Sequence, residues 1–420
     1  MEEDNMTGSA TYPERDNDIS ASPCEKDNKL PAPDFIRRER NVILDLLRIF
    51  AMLFIVFHHF VINNIGTGGI VFSSVETADV SSEFLPLFLG SEFVDCFLII
   101  GVNLFFLLSG YFSIKLKPSK IIALLLKTYV YFVVGELIAF AAGYSAYDTL
   151  SDAAVACVLA PSKYWFILVY FALCVIAPLL NTFAEKLRGK NITLFVFASV
   201  LMCCFIGFIS DYWTSYIGTK DGYAPLWAAV VYVYGRLIAI HGFGKSRKPA
   251  FWFFVFFIAT MLNYTVVALL TAVFDNGSWA WHMYSYNNPL VALSSVAFFL
   301  AFCTMKPIPA GTKGGKFLSS VAAHSLGVYL IHCNNPAVSP YRAFLINLVA
   351  DTLWAQYLLL IPNVLIVFAG AVIIDAVFDL LTKRGFDAIG KAAERFILFL
   401  YRGIMNLFKR LFKPAGEATM

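Results

Sequence analysis

The run NVILDLLRIFAMLFIVFHHFVIN, residues 41–63, decides how the rest of the chain is read. It is apolar over the roughly 20 residues a helix needs to cross a bilayer, yet it carries Asp45, Arg48, His58 and His59. Ionisable groups at that depth cost on the order of 3 kcal/mol or more unless paired or hydrated, so each is a functional candidate. At a helical turn of about 100° per residue, Arg48 and His59 fall within about 20° of each other, about 16 Å apart along the axis. Asn63 continues that stripe. Asp45 lies one turn before Arg48 and can pair with it, while His58 points about 100° away from His59.

Working outward, the whole chain has the same character. Of its 420 residues 59% are hydrophobic and only 15% charged, and the mean hydropathy is +0.69. A soluble chain cannot bury that much apolar surface, so lipid is the solvent for most of it. The formal net charge of +3 is too small to suggest a nucleic-acid partner. The 41 Phe, 20 Tyr and 7 Trp fit a polytopic membrane protein with interfacial aromatic belts. Eight cysteines show neither C-x-x-C nor metal-ligand spacing, and most lie in apolar runs, so no disulfide framework and no metal site is expected.

Ten apolar runs are read as spans: 41–63, 93–114, 121–145, 164–183, 192–210, 224–242, 250–274, 288–305, 318–335 and 354–380. The expected fold is therefore an all-α membrane helical bundle of ten transmembrane helices with both termini cytoplasmic. Charge placement agrees with that orientation. The inner segments hold Arg37, Arg38, Arg40, then Lys115, Lys117, Lys120, then Lys186, Arg188, Lys190, then Lys245, Arg247, Lys248, then Lys306, Lys313, Lys316, while the outer ones hold only Lys163, Lys220 and Arg342. This is the positive-inside pattern. Residues 1–40 are expected to be a disordered cytoplasmic tail with no secretory signal, 41–385 the membrane domain, and 386–420 a basic amphipathic helix and tail on the inner membrane surface.

Other polar groups sit at membrane depth. Lys127 and Arg236 lie in the inner thirds of the third and sixth spans, at a depth similar to Arg48, with Asp375 and Asp379 as candidate counter-ions. Snorkelling to the inner interface would explain these cations equally well. Ser109-Gly110 permits close approach of a ligand or of a neighbouring helix. Ser325, Tyr329 and His332 share one face of the ninth span, and His324 and His282 read as surface or packing groups.

Together the segments Leu44-Asp45-Leu46-Leu47-Arg48 with His59, Phe105-Phe106-Leu107-Leu108-Ser109-Gly110-Tyr111, Tyr164-Trp165-Phe166, Pro178-Leu179-Leu180-Asn181 and Ser325-Leu326-Gly327-Val328-Tyr329-Leu330-Ile331-His332 carry a resemblance. In these motifs and their order, over residues 41–380, the chain resembles the acyltransferase-3 family of integral membrane acyltransferases. The resemblance implies a plasma-membrane enzyme of the bacterial surface-polysaccharide acetyltransferase type. Such an enzyme moves an acyl group, foremost acetyl, from cytoplasmic acyl-coenzyme A (acetyl-CoA) to a glycan or lipid-linked sugar, without a metal. Its transfer is expected to be completed within the membrane domain.

On that basis His59 and Arg48 are the expected catalytic residues. Arg48, Ser109, Gly110, Tyr111, Lys127 and Arg236 are expected to bind the donor, with the cations on its phosphates, and Trp165, His332 and Asn63 to line the acceptor site. Lys127 stands where relatives often carry Arg, and so offers a point charge rather than a planar fork. Histidine can serve acyl transfer either as base or as nucleophile. The main alternative is a secondary transporter of a small polar or anionic solute, although no two-fold recurrence of motifs between the halves is apparent.

Overall fold

The computed structural model describes residues 41–63, 85–143, 145, 147–158, 160–214, 216–274, 276–333 and 353–411, with the Asn63 side chain outside that set. The expected tail 1–40 and most of the first long loop therefore lie outside the described residues. Among the described residues every regular element is helical. In chain order they are α1 (Val42–Asn63), α2 (Leu85–Leu98), α3 (Gly101–Phe112), α4 (Pro118–Ala141), α5 (Leu150–Val158), α6 (Trp165–Lys186), α7 (Lys190–Ser199) and α8 (Phe208–Trp213). They continue with α9 (Pro225–His241), α10 (Pro249–Ala272), α11 (Gly277–His282), α12 (Pro289–Cys303), α13 (Lys313–Ala323), α14 (Ser325–His332) and α15 (Leu353–Leu411).

Local sequence explains the boundaries. Four helices, α4, α9, α10 and α12, begin on a proline, whose missing N–H is no loss in the first turn. The Asn276, Asn288 and Thr312 side chains cap α11, α12 and α13 by accepting from backbone N–H groups. Between α7 and α8 the chain forms a π-helical stretch, Val200–Gly207, that buries Cys203 and Cys204.

Seven stretches are long and apolar enough to cross a membrane: Val42–Ile62, Leu89–Phe112, Pro118–Ala141, Trp165–Lys186, Lys190–Trp213, Pro249–Ala272 and Leu359–Phe408. Pro225–His241 and Pro289–Cys303 are apolar but shorter. The expected ninth span is broken at His324 into α13 and α14. Of the ten expected spans, seven thus stand as full-length apolar helices among the described residues. The outward faces are lipid-like, with Leu179, Phe254, Phe257, Leu262 and Ile373 exposed, while the polar groups turn inward. That inversion marks a bundle solvated by lipid. The last helix runs unbroken for 59 residues, about 88 Å. The segment from 386 to 411, expected as a separate surface element, continues α15; Gly385 and Gly403 have open space beside them, whereas a Cβ on Gly390 would collide with the Ser119 carbonyl of α4.

Two helix contacts position the site. α3 crosses α9 at backbone contact distance: a Cβ on Gly110 would collide with the Tyr232 carbonyl, and one on Gly235 with the Leu107 carbonyl. Small residues allow such crossings where lipid offers no hydrophobic drive between helices. α15 packs along α4, where Lys127 Nζ lies 2.7 Å from both Asp375 and Asp379 and Lys120 lies 2.8 Å from Asp387. Against these walls α1 stands at the centre of the bundle, touching α3, α13 and α14.

Candidate active site

α1 presents both of its aligned polar residues to one cavity of about 510 Å³, whose wall includes Arg48, Met52, Ile55 and His59 in helical succession. α3 contributes Phe105, Leu108 and Ser109, and α6 adds Trp165, Phe166 and Tyr170. The α13–α14 break adds Ala322, Ala323, Ser325, Leu326 and Tyr329. At the Arg48 end the segment after α3 supplies Ser113, Ile114, Lys115 and Lys117, and α4 supplies Lys120. Between Arg48 and His59 the wall that α1 supplies is apolar, with the Arg48 end cationic and the other end holding the His59 imidazole, and the wall also includes Trp165 and Tyr286.

Each end is held by specific bonds. Arg48 Nη1 donates to Asp45 Oδ1 at 3.1 Å, and the guanidinium stands 5.8 Å from the Phe112 ring centroid. Asp45 is buried and also accepts from Ser319 Oγ at 2.7 Å, which ties α1 to α13. The chain leaving α3 passes through Ser113 at φ 62°, a left-handed conformation a non-glycine residue adopts only under constraint. The constraint comes from Asn181 and Tyr232. Asn181 Nδ2 donates to the Ile114 carbonyl at 3.0 Å, the Ile114 N–H donates to Tyr232 Oη at 2.9 Å, and Tyr232 donates on to Asn181 Oδ1 at 2.8 Å. Asn181, which the sequence marked only as a motif residue, is therefore the lock on the cationic mouth. Asn181→Ala strips partners from the Ile114 carbonyl and the Tyr232 hydroxyl. It is expected to cost about 1–3 kcal/mol, read as a lower unfolding temperature in detergent.

At the other end a chain of hydrogen bonds defines the His59 tautomer. His332 Nδ1 lies 2.6 Å from the Val328 carbonyl, which can only accept, so Nδ1 carries the proton. In the neutral ring His332 Nε2 then accepts, and at 3.0 Å it takes the Nδ1–H of His59. In that tautomer Nε2 is the basic ring nitrogen of His59. His58 is engaged separately, 2.6 Å from the buried Asp95 carboxylate.

A loop packs against the Trp165 and Tyr286 part of the wall. Asp211 Oδ2 accepts from Thr219 Oγ1 at 2.7 Å and from the Asp221 N–H at 2.8 Å, which holds Lys220, Asp221 and Gly222 all at positive φ. Burial pushes the Asp221 carboxyl up, but His282 at 3.1 Å and the Ser285 hydroxyl more than offset it, leaving the group below the ordinary carboxylate range. The loop thereby seats Tyr223 4.6 Å from the Trp165 ring, and Trp165 stacks on Tyr286.

Several of the expected site residues lie away from this cavity. Lys127 and Arg236 are absent from the cavity wall. Lys127 faces α15 and pairs with Asp375 and Asp379, and Arg236 faces α6 with Nη2 2.6 Å from Glu185. Similar depth did not imply a similar direction around the bundle. Gly110 faces the α9 backbone, and Tyr111, packed on Phe112 and Phe299, is absent from the cavity wall. His332, only 1% exposed, sits behind His59 instead of lining an acceptor site. Arg48, Ser109, His59 and Trp165 do meet in one cavity, while the Asn63 side chain lies outside the described residues. The sequence reading also passed over Lys115, Lys117 and Lys120 as mere orientation markers. Their clustering within six positions next to the Phe-Phe-x-x-Ser-Gly-Tyr run was the available signal.

No curated protein and no solved structure matches the chain. The family model of the acyltransferase-3 acyltransferase domain matches residues 41–380, from the start of the helix that carries Arg48 and His59 to the part of α15 that carries Asp379. With most of its length accounted for by that domain and its apolar helices built to span a bilayer, the chain belongs to the acyltransferase-3 family and is a multi-pass membrane acyltransferase.

Proposed function

We propose that the protein transfers an acyl group, foremost acetyl, from acyl-coenzyme A to a hydroxyl of a cell-surface glycan or lipid-linked sugar at the plasma membrane. The observation that carries this reading is the shared cavity, with Arg48 and three lysines at one end and His59 at the other. Coenzyme A is an anion at its nucleotide end and a thin flexible chain at its thioester end. A cationic mouth leading into an apolar passage about 16 Å deep suits both parts. The mouth faces the cytoplasm in this reading, in keeping with the positive-inside pattern.

At the far end His59 Nε2 removes the proton of the acceptor hydroxyl as its oxygen attacks the thioester carbon. The C–S bond breaks, and the coenzyme A thiolate leaves with the proton returned from His59. His332 and the Val328 carbonyl hold the imidazole in the tautomer this requires. The same lone pair would serve a nucleophilic route through acyl-His59, and ping-pong rather than ternary-complex kinetics distinguishes that route. The aromatic wall of Trp165 and Tyr286 suits the apolar face of a sugar ring. The reading is tested with purified protein, radiolabelled acetyl-CoA and envelope glycans. Label is expected in the glycan fraction, and its retention on coenzyme A or its loss as free acetate contradicts the reading.

A further inference from the structure

α14 is eight residues long, about 12 Å, and begins at a break in the chain, yet it carries His332 and part of the cavity wall. So short a helix has little stability of its own. Its placement therefore depends on what grips it from outside, and among the described residues two polar grips add to its packing on α1 and α15. Near its far end the buried Tyr164 hydroxyl donates to the Leu330 carbonyl at 3.1 Å. At its start the grip is a charged network on the side away from the cavity. His324, the residue at the break, donates through Nδ1 to Asp375 Oδ2 at 2.8 Å. Asp375 Oδ1 accepts from Tyr131 Oη and from Lys127 Nζ, both at 2.7 Å, and Lys127 also reaches Asp379 at 2.7 Å. Asp375 is 0% exposed. Gly327, one turn into α14, lies flat against it, and a Cβ at that position would collide with the Asp375 carboxyl.

Among the described residues, donor atoms of His324, Asp375 and Asp379 lie within 4.8 Å of one another, close enough to hold a metal ion. The Lys127 ammonium, 2.7 Å from both carboxylates, supplies the countercharge there. Nothing in acyl transfer uses these groups directly, and none of Lys127, Tyr131, His324, Asp375 and Asp379 lines the cavity. A cluster of this kind is costly to bury unless its geometry is needed. What it joins is α4, α15 and the start of the helix that ends in His332.

We infer that Asp375 and His324 are positioning residues for the reaction: they fix α14 on α15, and α14 in turn fixes His332 behind His59. The inference rests on the assignment of His59 as the reacting group. Replacing Asp375 leaves the Lys127 ammonium partly buried with one carboxylate fewer, so loss of the fold would not separate positioning from stability. His324→Leu is the better variant, because it removes the grip on the break while Lys127, Tyr131 and both carboxylates keep their mutual bonds. A displacement of His59 by about 1 Å can cost up to about 100-fold in rate.

The expected result for His324→Leu is a kcat about 10–100-fold lower with the KM for acetyl-CoA within about twofold of wild type. His324→Gln, which retains a donor to Asp375, is expected to recover most of that loss. Hydrogen exchange on the same proteins supplies a readout independent of catalysis: the amides of 325–332 should exchange about tenfold faster in His324→Leu, with those of 42–63 unchanged. Wild-type kcat and exchange in His324→Leu overturn the inference, as does a loss that falls on the donor KM or one that Gln does not rescue. A wild-type protein that transfers no acyl group, with the exchange difference intact, overturns the functional reading alone and leaves the grip on α14 standing.

Discussion

Replacing His59 with alanine is expected to lower acyl transfer about 1,000-fold, within the range that loss of a positioned general base produces. The protein should still be recovered in near-normal yield, because the His59 ring faces a cavity and its loss leaves the buried His58–Asp95 pair and the apolar face of α1 intact. Donor affinity should change little, since the cations lie at the opposite end of the passage. Steady-state rates on the purified variant, with acetyl-CoA binding measured separately, check both statements. His332→Ala should fall between this variant and wild type. It removes the acceptor that holds the His59 Nδ1–H, yet leaves the Nε2 base itself in place.

The second large effect is expected at Arg48. Arg48→Ala should weaken acetyl-CoA binding about 10–100-fold, the worth of one or two charge-assisted hydrogen bonds to phosphate. Here the burden falls on KM rather than on the chemical step. Arg48→Lys should recover only part of the affinity, because an ammonium cannot present two parallel N–H groups. A structural contribution accompanies the binding one: Asp45 loses its partner but keeps the Ser319 hydroxyl, so α1 stays tied to α13. Isothermal titration of acetyl-CoA against the variants, alongside their unfolding temperatures, separates the two contributions. Unchanged affinity with collapsed yield would make Arg48 a structural residue.

These two residues were legible in the sequence for a simple reason. Both lie on one uninterrupted helix, where a separation of eleven positions fixes their relative direction without any knowledge of neighbours. Lys127 and Arg236 lie on different helices, and hydropathy gives depth but not rotation about the helix axis. Only the packing of α4 on α15 and of α9 on α6 reveals that they point away from the cavity. The three mouth lysines were hidden for a different reason: basic residues at the end of a span are expected anyway, so only their clustering next to the Phe-Phe-x-x-Ser-Gly-Tyr run could have set them apart.

Glycine at 110 announced a close approach, and the approach is real, but the neighbour is the Tyr232 carbonyl. The break at His324 was foreshadowed by the dilute run Ala322-Ala323-His324-Ser325, yet the seating of the separate helix α14 depends on Asp375 some fifty positions away. The pairing of His59 with His332 joins positions 273 residues apart, and no local pattern could have given it.

The most direct test of the account is a density map of the protein bound to a non-hydrolysable acetyl-CoA analogue. The account predicts the phosphates among Arg48, Lys115, Lys117 and Lys120, the pantetheine arm along Met52 and Ile55, and the acyl end in contact with His59 Nε2. An analogue seated on the Lys127 or Arg236 side of the bundle, or one whose acyl end stops short of His59 with the passage closed between them, would contradict it.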